Sequence, residues 1–77
     1  MDLGKAIRII RQRTFFTQED FALKLGVALS TVSRWELNKS KPNVKAMKAI
    51  KSFCDENKQP YEFIERQWLG YSEEESK

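Results

Sequence analysis

Apolar residues at Leu3, Ala6, Ile7 and Ile10 recur at helical spacing, so an amphipathic helix is predicted from about Asp2 to Arg13. Thr14-Phe15-Phe16 breaks the pattern. Thr17 then carries three helix-start signals: its hydroxyl can cap, Asp20 holds the capping-box position, and Phe16 and Phe21 are spaced as a hydrophobic staple. This second helix should end near Leu25, where Gly26 can take the left-handed cap conformation. A third short helix, about Leu29 to Glu36, has Val32 and Trp35 on its inner face. After the Lys-rich turn Leu37–Asn43, Asn43 caps a fourth helix to about Glu56, with Val44, Met47, Ile50 and Cys54 on one stripe and Ala46, Ala49 and Phe53 beside it. Pro60 opens a fifth, about Tyr61 to Trp68, bearing Phe63, Ile64, Trp68 and Leu69 and ended by Gly70. No run alternates with period two, so the expected class is all-α.

The break at Gly26–Val27 separates two short helices, and beyond it Leu29, Ser30, Ser33 and Arg34 are left facing outward on one almost acid-free strip. Two helices joined by a tight Gly-containing turn form a helix-turn-helix, whose second helix lies in the DNA major groove. Its requirements are local: Ala22 must be small where the third helix crosses, and Val32 and Trp35 must anchor that helix so that its other face projects.

Composition narrows the remaining classes. A chain of 77 residues is one domain with little stability to spare, better suited to binding than to an elaborate cavity. The formal net charge is only +3, but residues 1–51 carry +7 and residues 52–77 carry −4. Such asymmetry fits one end meeting a polyanion, and it equally fits ordinary solvated charge. The chain has no histidine and a single cysteine, Cys54, which removes an internal disulfide, a multi-cysteine zinc site and the usual acid–base residue. Cys54 is read as a small buried helix residue. No catalytic residue, metal or other cofactor, or small-molecule substrate is expected, nor a membrane span or signal peptide. The expected location is the cytoplasm, on the nucleoid when DNA is bound.

The stretch TQEDFALKLGVALSTVSRWE, with Gln18, Ala22, Gly26, Val32 and Trp35-Glu36 in register and NKSKPN after it, resembles the phage Cro/repressor-type (XRE-type) helix-turn-helix family. The likeness covers roughly Ile7 to Phe53. It implies a compact five-helix, repressor-like DNA-binding domain, here residues 1–70, with residues 71–77 as an acidic tail expected to fray. By the same likeness, Leu29, Ser30, Ser33 and Arg34 match the base-reading positions, and Gln18 matches a phosphate contact. Lys39, Lys41 and Asn43 fall in the loop and cap that grip the backbone. Arg11 and Glu36 match a buried structural ion pair. The chain departs from the pattern at Ala28, where Ser or Thr usually caps, at Leu37-Asn38 in place of Asn-Gly, and at Leu29 in place of Gln.

The side chains bound what the strip can read. Leu29 offers only apolar contact, to a thymine methyl or to a neighbouring residue. Arg34 can bond guanine O6 and N7 together, and the two serines can reach bases or phosphates. Lys45, near the cap, is a further phosphate candidate, whereas Lys48 and Lys51 read as a solvated face. Trp35 belongs to the core. Phe63, Ile64 and Trp68 either complete the monomer core or form a candidate dimer surface. The function implied is a sequence-specific regulator of transcription, a repressor by preference, binding double-stranded DNA as a homodimer on a near-palindromic operator. A rival keeps the scaffold but gives it a protein partner, as in an antitoxin or accessory subunit.

Overall fold

The computed structural model describes residues 1–71; the acidic segment 72–77 lies outside the described residues. The described residues form five helices in order: α1 (Leu3–Arg13), α2 (Gln18–Leu25), α3 (Leu29–Glu36), α4 (Val44–Glu56) and α5 (Tyr61–Gly70). The described residues contain no strand. Capping side chains fix three of the starts. Asp2, Thr17 and Asn43 accept from the amides of Lys5, Asp20 and Ala46 at 2.8, 3.0 and 2.8 Å. Asp20 returns no hydrogen bond to Thr17 among the described residues, so only half of the capping box forms. Ala28 leaves α3 without a side-chain cap, as its methyl dictates.

Four of the five helices end in the same way. In α1 to α4 a residue with positive φ follows the last turn: Phe15 at 61°, Gly26 at 75°, Asn38 at 60° and Lys58 at 56°. Each closes a Schellman pair. At Gly26 the amide of Val27 reaches the Ala22 carbonyl at 2.9 Å, while the Gly26 amide itself reaches Leu23 at 3.2 Å. The same pattern joins Phe16 to Arg11, Lys39 to Arg34, and Gln59 to Cys54. Only one of these four left-handed positions is occupied by glycine. Phe15 is also 92% exposed, so its ring returns little for the strain. Phe15→Gly is therefore expected to stabilise the fold by about 1 kcal/mol, read as a rise of several degrees in thermal midpoint.

The core gathers Leu3, Ala6, Ile7 and Ile10 of α1 with Phe21, Ala22 and Leu25 of α2 and with Val32 and Trp35 of α3. Ala46, Met47, Ile50, Phe53 and Cys54 of α4 and Ile64 of α5 complete it. Phe53 is its hinge-pin: the rings of Phe16 and Phe21 both meet it edge-on at 5.0 Å, so the anticipated staple closes through a third ring. α1 packs on α3 and α5, α2 on α3 and α4, and α4 on α5. Two expectations for the apolar stripes are corrected. Val44, as the first residue of α4, stands outside the packed stretch and is exposed, and Leu69 at the end of α5 is exposed too. Cys54 is wholly buried, and loss of solvation pushes its thiol up to about 11.

Candidate nucleic-acid interface

The turn between α2 and α3 aims the outer strip. Ala22 is almost fully covered, and Val32 and Trp35 are held in the core, so the opposite side of α3 faces outward. Leu29 (48% exposed), Ser30 and Arg34 lie open, while Ser33 is half-buried between them. The Arg34 side chain has no hydrogen-bond or ion-pair partner among the described residues. Leu37, one turn beyond Ser33, extends the strip with an exposed apolar side chain that the sequence offered only as a turn residue.

One flank of α3 is fixed by a buried carboxylate. The Glu36 side chain has no exposed surface. Arg11 donates to it twice, Nε to Oε2 at 2.6 Å and Nη2 to Oε1 at 3.0 Å, and its Nη1 bonds the Phe16 carbonyl at 2.9 Å. Gln18 Nε2 donates to Oε1 at 3.0 Å, and Arg8 Nε reaches the same oxygen at 3.4 Å. Burial alone would raise the Glu36 pKa. The bonds from Arg11, Gln18 and Arg8 outweigh that penalty and hold it below its ordinary value. The ion pair thus ties α1 and the start of α2 to the end of α3. Gln18, read as a phosphate contact, spends one amide hydrogen inside this network and keeps the other. Arg8 was missed by the sequence reading, although it sits one turn before Arg11 on the same side of α1.

The other flank is made by the loop after α3 and the start of α4. A groove of about 580 Å³ runs there, lined by Val27, Ala28, Thr31, Lys41, Asn43 and Lys45 among others. Asn43 uses its carbonyl oxygen to cap α4, leaving its NH2 as the group that can still donate. Lys39 and Lys45 are exposed and without an ion-pair partner among the described residues. Lys41 is not free in the same sense. Its ammonium sits 4.9 Å from the Trp68 ring centroid and 6.0 Å from that of Tyr71.

Trp68 of α5 and Tyr71 just after it fasten this loop. The Trp68 indole N–H donates to the Pro42 carbonyl at 2.6 Å, and the Tyr71 hydroxyl donates to the Asn38 carbonyl at 3.3 Å. Of the candidate dimer surface Phe63, Ile64 and Trp68, only Ile64 is withdrawn. Ile64 has no exposed surface because it fills the space against α1 and α4, and Trp68 is half-buried on its own chain. Phe63 remains half-exposed, with the Arg13 guanidinium 5.9 Å from its ring centroid.

The arrangement is a projecting helix between two donor-rich flanks, with no exposed carboxylate on α3 itself. No helix among the described residues is long and apolar enough to cross a membrane. A family model described as helix-turn-helix matches residues 7–57. No curated protein and no solved structure matches the chain.

Proposed function

This chain belongs to the Cro/repressor-type (XRE-type) helix-turn-helix family, whose members are DNA-binding regulators of transcription, and from that premise we propose that it is a sequence-specific repressor acting as a homodimer. α3 enters the major groove, Arg34 reads a guanine, and Leu29 contacts a thymine methyl. Ser30 and Ser33 fill in with base or phosphate bonds. Gln18 on one flank and Lys39, Lys41, Asn43 and Lys45 on the other hold the two backbones that border the groove. The observation that carries this reading is the unpartnered strip from Leu29 to Arg34 lying between those flanks.

Dimerisation follows from reach. A helix of eight residues covers only a few base pairs, so discrimination against a genome calls for two half-sites. The body measures 33 × 24 × 21 Å, which lets two copies lie abreast with their α3 helices about one turn, ~34 Å, apart. On α5 we assign that contact to Phe63 and Trp68, which both keep part of their surface open. The protein acts by binding and needs no cofactor, and it works in the cytoplasm at the nucleoid.

Selection of bound sites from random duplexes tests the whole reading. A near-palindromic consensus with half-sites one turn apart is the expected result. Arg34→Ala should then lose about 1–3 kcal/mol of discrimination at one base pair per half-site while keeping its affinity for random duplex. An unsymmetric consensus would remove the dimer. No consensus, together with a stoichiometric protein partner retained by Arg34→Ala, would replace the regulator with the interaction module.

A further inference from the structure

The cluster around Glu36 holds more positive charge than its carboxylate needs. Arg11 satisfies Glu36 with two short hydrogen bonds and is only 13% exposed. Arg8 touches the same carboxylate through Nε alone, at the longer distance of 3.4 Å, and is 44% exposed. One carboxylate between two guanidinium groups leaves a surplus of one positive charge, and that surplus sits on the more exposed side chain. The two Nη groups of Arg8 have no partner among the described residues. Neither Glu19 nor Asp20, the exposed acids of the neighbouring helix, forms an ion pair there.

Position gives this surplus a use. Gln18 and Arg8 donate to the same Oε1 atom, so the two donor groups meet at one carboxylate oxygen, and each has N–H groups left over. Both stand on the α1/α2 flank of α3, across that helix from the groove lined by Lys41, Asn43 and Lys45. Glu36 lies behind them, fully buried and neutralised by Arg11, so it does not repel an incoming anion.

We propose that Arg8 and Gln18 together seat one phosphodiester of the duplex strand bordering this flank, a site that presupposes α3 in the major groove. The Arg8 fork takes two phosphate oxygens, a geometry that suits guanidinium better than ammonium. Gln18 adds its second amide hydrogen, and Glu36 holds both side chains in place. Arg8 is then an affinity residue without sequence preference, distinct in kind from Arg34.

Anisotropy titrations of a labelled selected duplex and a random one, run across salt with the full chain, test the site. Arg8→Met should weaken both duplexes about tenfold at moderate salt and lower the slope of log K against log salt by about one. Arg8→Lys should keep the slope and lose only part of the affinity. Arg8→Gln, which keeps a neutral donor toward Glu36, carries the same expectation as methionine should Arg8→Met fail to melt cooperatively. If wild-type protein binds duplex and the uncharged variants match its slope, Arg8 is an ordinary surface partner of Glu36 and the phosphate seat is overturned while α3 stays in the groove. Wild-type protein that binds no duplex at any salt overturns both.

Discussion

Arg11→Met is expected to leave most of the chain unfolded at 25 °C. Its guanidinium supplies both short bonds to Glu36 and a third to the Phe16 carbonyl, and so joins three segments at once. Removing it strands a carboxylate that has no exposed surface. Breaking one side of such a pair costs about 3–5 kcal/mol, and a core of this size rarely supplies more than about 3–5 kcal/mol in total. Arg8 and Gln18 remain as donors, but one is long and the other neutral. Acid should produce a milder form of the same loss. The folded pKa of Glu36 lies below its ordinary value of 4.5, so its contribution is intact above that value and drains away as pH falls through the lower one. Denaturant melts of wild type and Arg11→Met at neutral pH, with the wild-type midpoint followed downward from pH 5, check both statements. A variant melting within two or three degrees of wild type would show the network to be dispensable.

The same network marks where sequence reasoning stopped. Helix positions were legible because apolar periodicity and caps are local: Thr17, Gly26 and Asn43 each announce a boundary by their own chemistry. The ends of α1 and α4 were legible only as breaks. Phe15 and Lys58 occupy left-handed positions that neither side chain favours, so no residue type advertises the motif they close. Tertiary packing overrides propensity there, as the burial of Phe16 against Phe53 one residue later illustrates.

At the site, the outward strip could be read from spacing alone, since four residues on the face opposite Val32 and Trp35 must point away from the core, although Ser33 is half-buried among them. The flank residues Gln18, Lys39, Lys41 and Asn43 were named through the family resemblance, but the contacts of Arg8 and Trp68 that hold the flanks were not legible. Arg8 joins Glu36 across 28 residues, and Trp68 reaches Pro42 across 26. Pairings of that separation leave no periodic trace in a single sequence. Ile64 and Trp68 were ambiguous for a related reason: an apolar face on a last helix reads alike whether the chain's own core or a second copy covers it. The packing of α5 against α1 and α4 puts Ile64 in the core and leaves Trp68 part-exposed.

Gly4→Ala is expected to destabilise the protein, against the usual sign. Alanine in a helix interior normally gains about 0.5–1 kcal/mol over glycine, and Gly4 lies in the first turn of α1, where nothing about its own backbone demands glycine. The demand comes from α3. A Cβ at position 4 would stand 2.6 Å from the Glu36 carbonyl oxygen, 2.8 Å from that of Trp35 and 2.9 Å from Asn38 Nδ2. Two of those atoms are backbone, so no rotamer change relieves the clash. The Gly4 amide also donates to Asn38 Oδ1 at 2.9 Å, and moving α1 away would break that bond. Overpacking of this kind costs about 1–3 kcal/mol, which for a domain this small corresponds to a midpoint lowered by roughly 4–8 °C per kcal/mol. The end of α3 should shift as well, so DNA affinity should fall more than the loss of folded protein explains. Gly70→Ala is the control: a Cβ there meets nothing within 4 Å, and a neutral or slightly raised midpoint is expected. If both alanine variants raise the midpoint, α1 does not approach α3 this closely, and the support beneath the reading helix must be drawn differently.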